Sequence, residues 1–323
     1  MNYSNCKLFN IKRKKDILFT LFGDERYPYK NIISYNVYID KNSKPRLVEH
    51  AFKKSVLKKV QSKIHIYLSQ IDLPQYLFSK KGSSSIKNAK YHIKNSEFVK
   101  VDISSFFPNS HRDYVYDFFL SKMQCSPDVS RILTDLTTIN LKNQIIHNAN
   151  NDVYQFIKDK RIRTLNHLPT GSSTSPILCF HIFYDMFEEI YEIAYSRNYL
   201  MSIYVDDITF SSPTKIDKGF IKGISRVVST YNHKLSIEKT KYYTKNQHKE
   251  ITGVIITKYH RIRPKSKIHR DVIYDFKKIL SAKFSKSEIN SISGKINYAK
   301  TIDRNLFPNI YEYVRDIVKK KNH

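Results

Sequence analysis

The stretch "SIYVDDITFSS", Ser202 to Ser212, places two carboxylates side by side inside an otherwise strand-like run. Its β-branched and aromatic residues have the composition of a partly buried strand. Asp206 and Asp207 are poor strand formers, and their like charges repel at close range. Two readings are open at this point. Either Asp-Asp is the turn of a β-hairpin, or the chain accepts the repulsion because a divalent metal ion sits there.

The surrounding composition narrows the classes. The chain has 323 residues, enough for one large domain or two to three intimately packed subdomains. At 41% hydrophobic and 26% charged it is globular in character, and it carries no apolar run long enough to span a membrane. The amino terminus is basic and lacks the apolar core of a secretory signal. Cys6, Cys125 and Cys179 are odd in number and scattered, which argues against a disulfide framework or a zinc site and for the reducing cytoplasm. The net charge is +27, from 56 Lys and Arg against 29 Asp and Glu. Such an excess opposes compaction unless a polyanion binds it. With 24 Tyr and 19 Phe interleaved, stacking surfaces accompany phosphate-binding cations, as nucleic-acid binding requires. A codon bias toward Lys and Tyr explains those counts but not the shortage of acids.

No repeat, low-complexity segment, Walker pattern or G-x-G-x-x-G occurs. Residues 48–71 show apolar positions at helical spacing and predict a helix. "KKGSSSIKNAKYH" (80–92) reads as a loop, "FVKVDISSFF" (98–107) as a strand and 112–123 as a helix. Residues 176–197 read as one long helix with Pro176 in its first turn. A helix after the Asp-Asp hairpin and a short apolar strand at 251–257 follow. From 258 onward the chain carries 17 Lys and Arg against 6 Asp and Glu, and reads as helical from about 267.

Asp102 is a third carboxylate that stands out, because it ends the apolar strand "FVKV". A buried carboxylate is costly without a compensating partner. Paired with Asp206, it would put two acids on neighbouring strand ends with Asp207 beside them. Hard oxygen ligands with open positions suit Mg²⁺ carrying substrate phosphates. Two such ions can stabilise the attacking and leaving oxygens of an in-line phosphoryl displacement.

Taken in order, "FVKVDISSFF", "LPTGSSTSP", "YVDD", "LSIEKTK" and "ITG" resemble the consecutive palm motifs of reverse transcriptases. "NAKYH" (88–92) is similar to the N-A-x-x-H signature of bacterial retron reverse transcriptases, and "ITG" to their V-T-G. The resemblance covers roughly residues 30–315. It implies an α+β right-hand polymerase with fingers, a palm of antiparallel sheet plus helices, and a carboxy-terminal helical thumb. The expected boundaries are 1–95 for an amino-terminal helical region and fingers, 96–257 for the palm with part of the fingers at 111–170, and 258–323 for the thumb. No RNase H, maturase or endonuclease domain is expected to follow.

The resemblance also implies roles. Asp102, Asp206 and Asp207 would be the catalytic acids holding two Mg²⁺ ions. Phe107 would exclude a ribose 2′-OH by bulk, with Phe106 competing for the part. Arg46 would contact the triphosphate, where a planar guanidinium suits bidentate binding, and Thr170 and Gly171 would border the nucleotide. Lys239 would face the leaving pyrophosphate, and Thr252 and Gly253 would form the primer-grip turn. Asn88 and His92 would border the primer terminus, His92 either ordering a loop or helping to deprotonate a 2′-OH. Lys265, Lys267 and Arg270 would lie on RNA. Three positions depart from the family: Thr170 stands where Gln is usual, Val205 where Ala is common and Ser236 where Asn is. The segment 139–165 is longer than usual and reads as an added hairpin.

The function implied is reverse transcription of part of a dedicated noncoding RNA, self-primed from a guanosine 2′-OH, to a branched RNA–DNA hybrid. Its partners would be that RNA, its DNA product, dNTPs and a separate effector protein in anti-phage defence, with no membrane. The alternatives are a diversity-generating or abortive-infection reverse transcriptase, or a non-catalytic RNA-binding scaffold of a toxin–antitoxin complex. A scaffold has no reason to keep three crowded acids.

Overall fold

The computed structural model describes residues 1–41, 45–148, 151–160, 162, 164–281 and 284–320. Helix α1 (Lys14–Phe22) buries Ile17, Leu18 and Leu21. An antiparallel hairpin follows, β1 (Tyr35–Asp40) with β2 (Arg46–Ala51), Asp40 opposite Arg46 and Tyr35 opposite Ala51. The helix expected from residue 48 is corrected here. Leu47, Glu49 and Ala51 are buried at period two, so this stretch is strand. Helix α2 (Val56–Leu68) begins only after Ser55, whose hydroxyl accepts the Lys58 N–H at 3.2 Å.

The expected loop at 80–92 contains a helix, α3 (Ser85–Tyr91), capped by Ser84. At seven residues it is too short to show a period, and burial of Asn88 and Ala89 holds it rather than propensity. After β3 (Glu97–Asp102) come α4 (Arg112–Asp117), a π-helical turn over Phe118–Lys122, and α5 (Pro127–Thr137). The segment 139–165 is helical where a hairpin was expected. The short strand β4 (Ile139–Asn140), helices α6 (Leu141–Asn148) and α7 (Asn151–Asp159), and strand β5 (Asn166–His167) run in order, with β4 paired to β5. Residues 149, 150, 161 and 163 of it lie outside the described residues.

The single long helix expected at 176–197 is two, α8 (Ser175–Ile182) and α9 (Tyr184–Tyr195). They break at Phe183, whose ring packs against Phe106 and His233 at 5.5 and 4.5 Å between centroids. Then come β6 (Leu200–Tyr204), β7 (Asp207–Ser212), α10 (Lys218–Thr230) and β8 (Lys241–Tyr243). The sheet order is β6-β7-β3-β8, antiparallel throughout. The strand expected at 251–257 is a hairpin instead. Strands β9 (Lys249–Ile251) and β10 (Val254–Ile256) flank a turn at Thr252 and Gly253, whose φ values of +44° and +90° end any extended run. Strand β11 (Ile262–Pro264) completes this small sheet.

Helices α11 (Ser266–Ser281), α12 (Lys286–Ile302) and α13 (Pro308–Lys320) enclose a separate apolar cluster that includes Val272, Ile292, Ile296 and Val314. A third cluster, with Ala89, Phe98, Val254 and Ile302, joins α3, β3, the small sheet and α12. The architecture is α+β, as expected. All three cysteines are buried free thiols. Among the described residues no helix is long and apolar enough to cross a membrane.

His92, at the end of α3, is fully buried against the four-stranded sheet. Its Nδ1 lies 2.7 Å from Ser211 Oγ on β7 and its Nε2 2.7 Å from Ser202 Oγ on β6, with Asn95 Nδ2 donating to the same Ser211. Burial pushes its pKa down to about 3. A neutral, enclosed imidazole with both nitrogens engaged is a bolt between α3 and the sheet, and the proton-transfer alternative for His92 falls. His92→Ala should lower unfolding stability by roughly 2–4 kcal/mol, through a cavity and stranded serine hydroxyls. Denaturant unfolding checks this; a cost under ~1 kcal/mol would show that the network is dispensable.

Candidate active site

Strand pairing builds the site. In the β3–β7 ladder Asp102 is the direct cross-strand partner of Asp207, and in the β6–β7 ladder Tyr204 is the partner of Asp207. That register leaves Val205 and Asp206 as a two-residue turn, so the hairpin reading of the opening stretch holds, and the turn also brings Asp206 beside the facing pair Asp102 and Asp207. Val205 sits at φ +63°. A β-branched residue there costs about 1–2 kcal/mol, and strain of this kind clusters at functional sites. Ser79 Oγ accepts the Val205 N–H at 3.3 Å, and the Asp206 carbonyl accepts the Ile103 N–H at 3.1 Å. The turn is thereby fastened to the end of β3.

Like charges directly opposite on a sheet are destabilising, and two lysines offset them. Lys100 Nζ lies 2.8 Å from Asp207 Oδ2, and Lys239 Nζ 2.6 Å from Asp102 Oδ1. Burial still raises the Asp102 pKa, with Lys239 pulling the other way. Among the described residues Asp206 makes no ion pair with a lysine, although the Lys239 charge acts on it from beside Asp102. Burial, then the charges of Asp102 and Asp207, push it up to about 6. Among the described residues no group of three or more His, Cys, Asp or Glu side chains is arranged to hold a metal ion. The donor set is nevertheless all oxygen, the chemistry that a divalent ion such as Mg²⁺ takes, so the residue types of Asp102, Asp206 and Asp207 fit one.

A cavity of about 390 Å³ reaches the acid-bearing turn at Val205 and is lined by Ala51, Phe107, Gly171 and Ser172, among others, but by none of the three acids themselves. The structure separates the two phenylalanines. Phe106 is buried in the core on Phe183, Phe187 and His233, whereas Phe107 is half-buried and lines this cavity. Gly171 closes the wall against β2. A Cβ there would meet Glu49 O at 3.3 Å, and its φ of +114° excludes most side chains. Thr170 backbone bonds to Glu49, and among the described residues its buried hydroxyl has no hydrogen-bond partner. Arg46 lies at the far end of β2, exposed, opposite Asp40. A larger cleft of about 540 Å³, between α2 and the 69–81 loop, contains none of the acids.

Asn88 Nδ2 donates to Thr252 Oγ1 at 3.4 Å, which links the N-A-x-x-H segment to the β9–β10 turn. Gly253 of that turn lies under Tyr298 of α12. Lys265 pairs with Glu250 on β9 at 2.5 Å, while Lys267 and Arg270 are exposed on α11. Thus the structure gathers the three acids with Lys239, and Phe107 with Gly171; Arg46 and the α11 cations stand apart. Sequence reasoning missed Lys100, although its position two residues before Asp102 put it on the same strand face. It also missed the fully buried pair Glu49 and His167, which no local pattern signals.

The family model described as "Reverse transcriptase (RNA-dependent DNA polymerase)" matches residues 39–256. The Retron Se72 reverse transcriptase of Salmonella heidelberg (strain 579083-10) is 28% identical over 213 residues, 64% of this chain and 48% of that protein. The Retron Ec83 reverse transcriptase of Escherichia coli is 22% identical over 232 residues, 69% of this chain and 67% of that protein. The chain thus spans about half the length of the first and two thirds of the second. Among solved structures, a foamy viral protease-reverse transcriptase in complex with double-stranded DNA has 15% identity and a TM-score of 0.47, covering 88% of this chain and 38% of that one. Telomerase from Candida albicans has 10% identity and the same TM-score, covering 87% and 57%.

The raised Asp206 pKa has a stability consequence. Between about pH 4 and pH 6 the folded carboxyl holds a proton that the unfolded one, at 3.8, has released. The fold therefore loses stability as pH rises through that window, and the loss is complete above it. With chelator present at pH 8, Asp206→Asn should be more stable than the wild type by on the order of 2–3 kcal/mol. The gain should shrink to nothing as the pH falls to about 4. Denaturant melts across that range check it; no gain at pH 8 would contradict the crowding.

Proposed function

Because the chain belongs to the reverse transcriptase (RNA-dependent DNA polymerase) family, with retron reverse transcriptases as its curated relatives, we propose that it copies RNA into DNA in the retron manner. The observation that supports this best is the convergence of Asp102, Asp206 and Asp207 on adjoining strand ends, next to the cavity bounded by Phe107 and Gly171. Our reading gives fingers at 1–95 and 111–170, a palm within 96–257 and a thumb at 258–323.

In this reading the three acids hold Mg²⁺, two ions in all. When bound, such ions supply charge stabilisation to the attacking and leaving oxygens. Lys239, with its Nζ already beside Asp102, is placed to turn toward the departing pyrophosphate and offset its charge. The Phe107 ring occupies cavity wall where a ribose 2′-OH would need room, so bulk favours deoxynucleotides. Gly171, and Thr170 in place of the usual Gln, border the nucleotide through backbone rather than a long side chain. Arg46, which stands apart from the acids at the exposed end of β2, would reach the triphosphate only if the fingers hairpin closes over the bound nucleotide. The Thr252–Gly253 turn steadies the primer, braced by Asn88, with His92 bolting the same helix to the sheet. Lys267 and Arg270 bind the RNA backbone, and Lys265 joins them at the cost of its bond to Glu250.

The same reading carries the finer retron features. The template is a dedicated noncoding RNA, the primer a guanosine 2′-OH within it, the product a branched RNA–DNA hybrid, and the setting a cytoplasmic anti-phage system with a separate effector. The test is the nucleic acid that copurifies when the protein is expressed with its native locus. The wild type should carry DNA whose 5′ end shifts after debranching, and Asp206→Asn should retain RNA without DNA. DNA with an ordinary free 5′ end would overturn self-priming. DNA made equally well by Asp206→Asn would overturn the site.

A further inference from the structure

Glu49 and His167 are both fully buried, and their side chains meet at 2.9 Å, Glu49 Oε1 to His167 Nε2. A carboxylate removed from water needs hydrogen-bond partners, and here both oxygens find one in the short stretch from His167 of β5 to Thr170. Glu49 Oε2 accepts the Thr170 N–H at 2.8 Å, and the Glu49 N–H donates to the Thr170 carbonyl at 2.7 Å. His167 Nδ1 lies 2.9 Å from the Thr164 carbonyl, to which it must donate. One further proton therefore resides between His167 Nε2 and Glu49 Oε1, whichever atom holds it. His167 is itself fixed in β5, paired to Ile139 and bridged to His111. The next residue, Leu168, donates its N–H to Ser110 O in the turn that follows Phe107.

We propose that this buried pair is a latch that locks the Leu168–Gly171 loop onto strand β2 and thereby sets affinity for the incoming nucleotide. The inference rests on the polymerase reading above. Its logic is positional. Gly171 forms cavity wall only because β2 backbone lies 3.3 Å from where its Cβ would be, and that approach is held one residue earlier by the bonds to Glu49. Thr170 cannot reach far with its own side chain, so the loop is placed through its backbone. Glu49 and His167 touch no substrate; they are positioning residues. The latch also couples the strand that carries Arg46 to the same wall.

Glu49→Leu keeps volume and removes the latch, whereas Glu49→Gln keeps it, since the amide can donate to a neutral His167 and accept from Thr170. With template–primer saturating, Glu49→Leu should raise KM for the dNTP at least about tenfold while kcat stays within about threefold. Glu49→Gln should restore KM to within about threefold of wild type. Wild-type KM in Glu49→Leu, or equal damage in Glu49→Gln, overturns the latch. Should Glu49→Leu fail to fold, His167→Gln removes the ring that joins Glu49 Oε1 to the Thr164 carbonyl through its two nitrogens. It should raise KM at least about threefold, and an unchanged KM overturns the proposal equally. Hydrogen exchange over 165–175 separates this from failure of the polymerase reading. It should quicken in Glu49→Leu whether or not DNA is made, and unaltered exchange sinks the latch. A wild-type protein that extends no primer sinks the polymerase reading instead.

Discussion

The pairing of β3 with β7 is the constraint on which the rest depends. It sets Asp102 across from Asp207, and with the β6–β7 register it leaves Asp206 at the tip of a two-residue turn. Sheets ordinarily avoid facing carboxylates. Here the register cannot slip to relieve them, because a one-residue shift would turn Val99, Val101, Ile208 and Phe210, all buried, toward the wrong face. Apolar packing imposes the crowding, and the lysines at 100 and 239 moderate it.

The elements around that pairing serve to keep it rigid. Segment 76–78 covers the outer edge of β6 through bonds between Tyr76, Phe78 and Ile203, so the strand bearing the turn is not a free edge. His92 with Ser202 and Ser211 ties β6 and β7 to α3 from beneath. Phe107 and Gly171 both line the neighbouring cavity, the first stacked on the buried Phe106 and the second close against β2. The strained Val205 is tolerated because Ser79 and Ile103 hold the turn at both ends. A loop left to itself would relax from that conformation.

Much of the site was legible in the sequence because its members are locally marked. Asp102 ends an apolar run, Asp206 and Asp207 interrupt one, and Phe107 and Gly171 sit in short recognisable strings. What was not legible depends on burial or on partners distant in the chain. Residues 48–51 lie on a helical period by coincidence, and only pairing with β1 makes them strand. The α3 segment is held by what it packs against. Thr252 and Gly253 break a run that composition alone reads as continuous. Whether His92 could move protons turned on its enclosure, which no spacing encodes. Glu49 and His167 are 118 positions apart and meet only because two strands and a loop converge.

The central claim is that the fold crowds three carboxylates and that a divalent cation relieves the crowding. The most direct measurement is the effect of Mg²⁺ on the unfolding temperature of the purified protein, wild type against Asp102→Asn/Asp206→Asn, without nucleic acid. A ligand that binds only the native state raises its stability by mass action. The account predicts a concentration-dependent rise for the wild type and none for the double variant. An equal rise in both, or none in either, would contradict it.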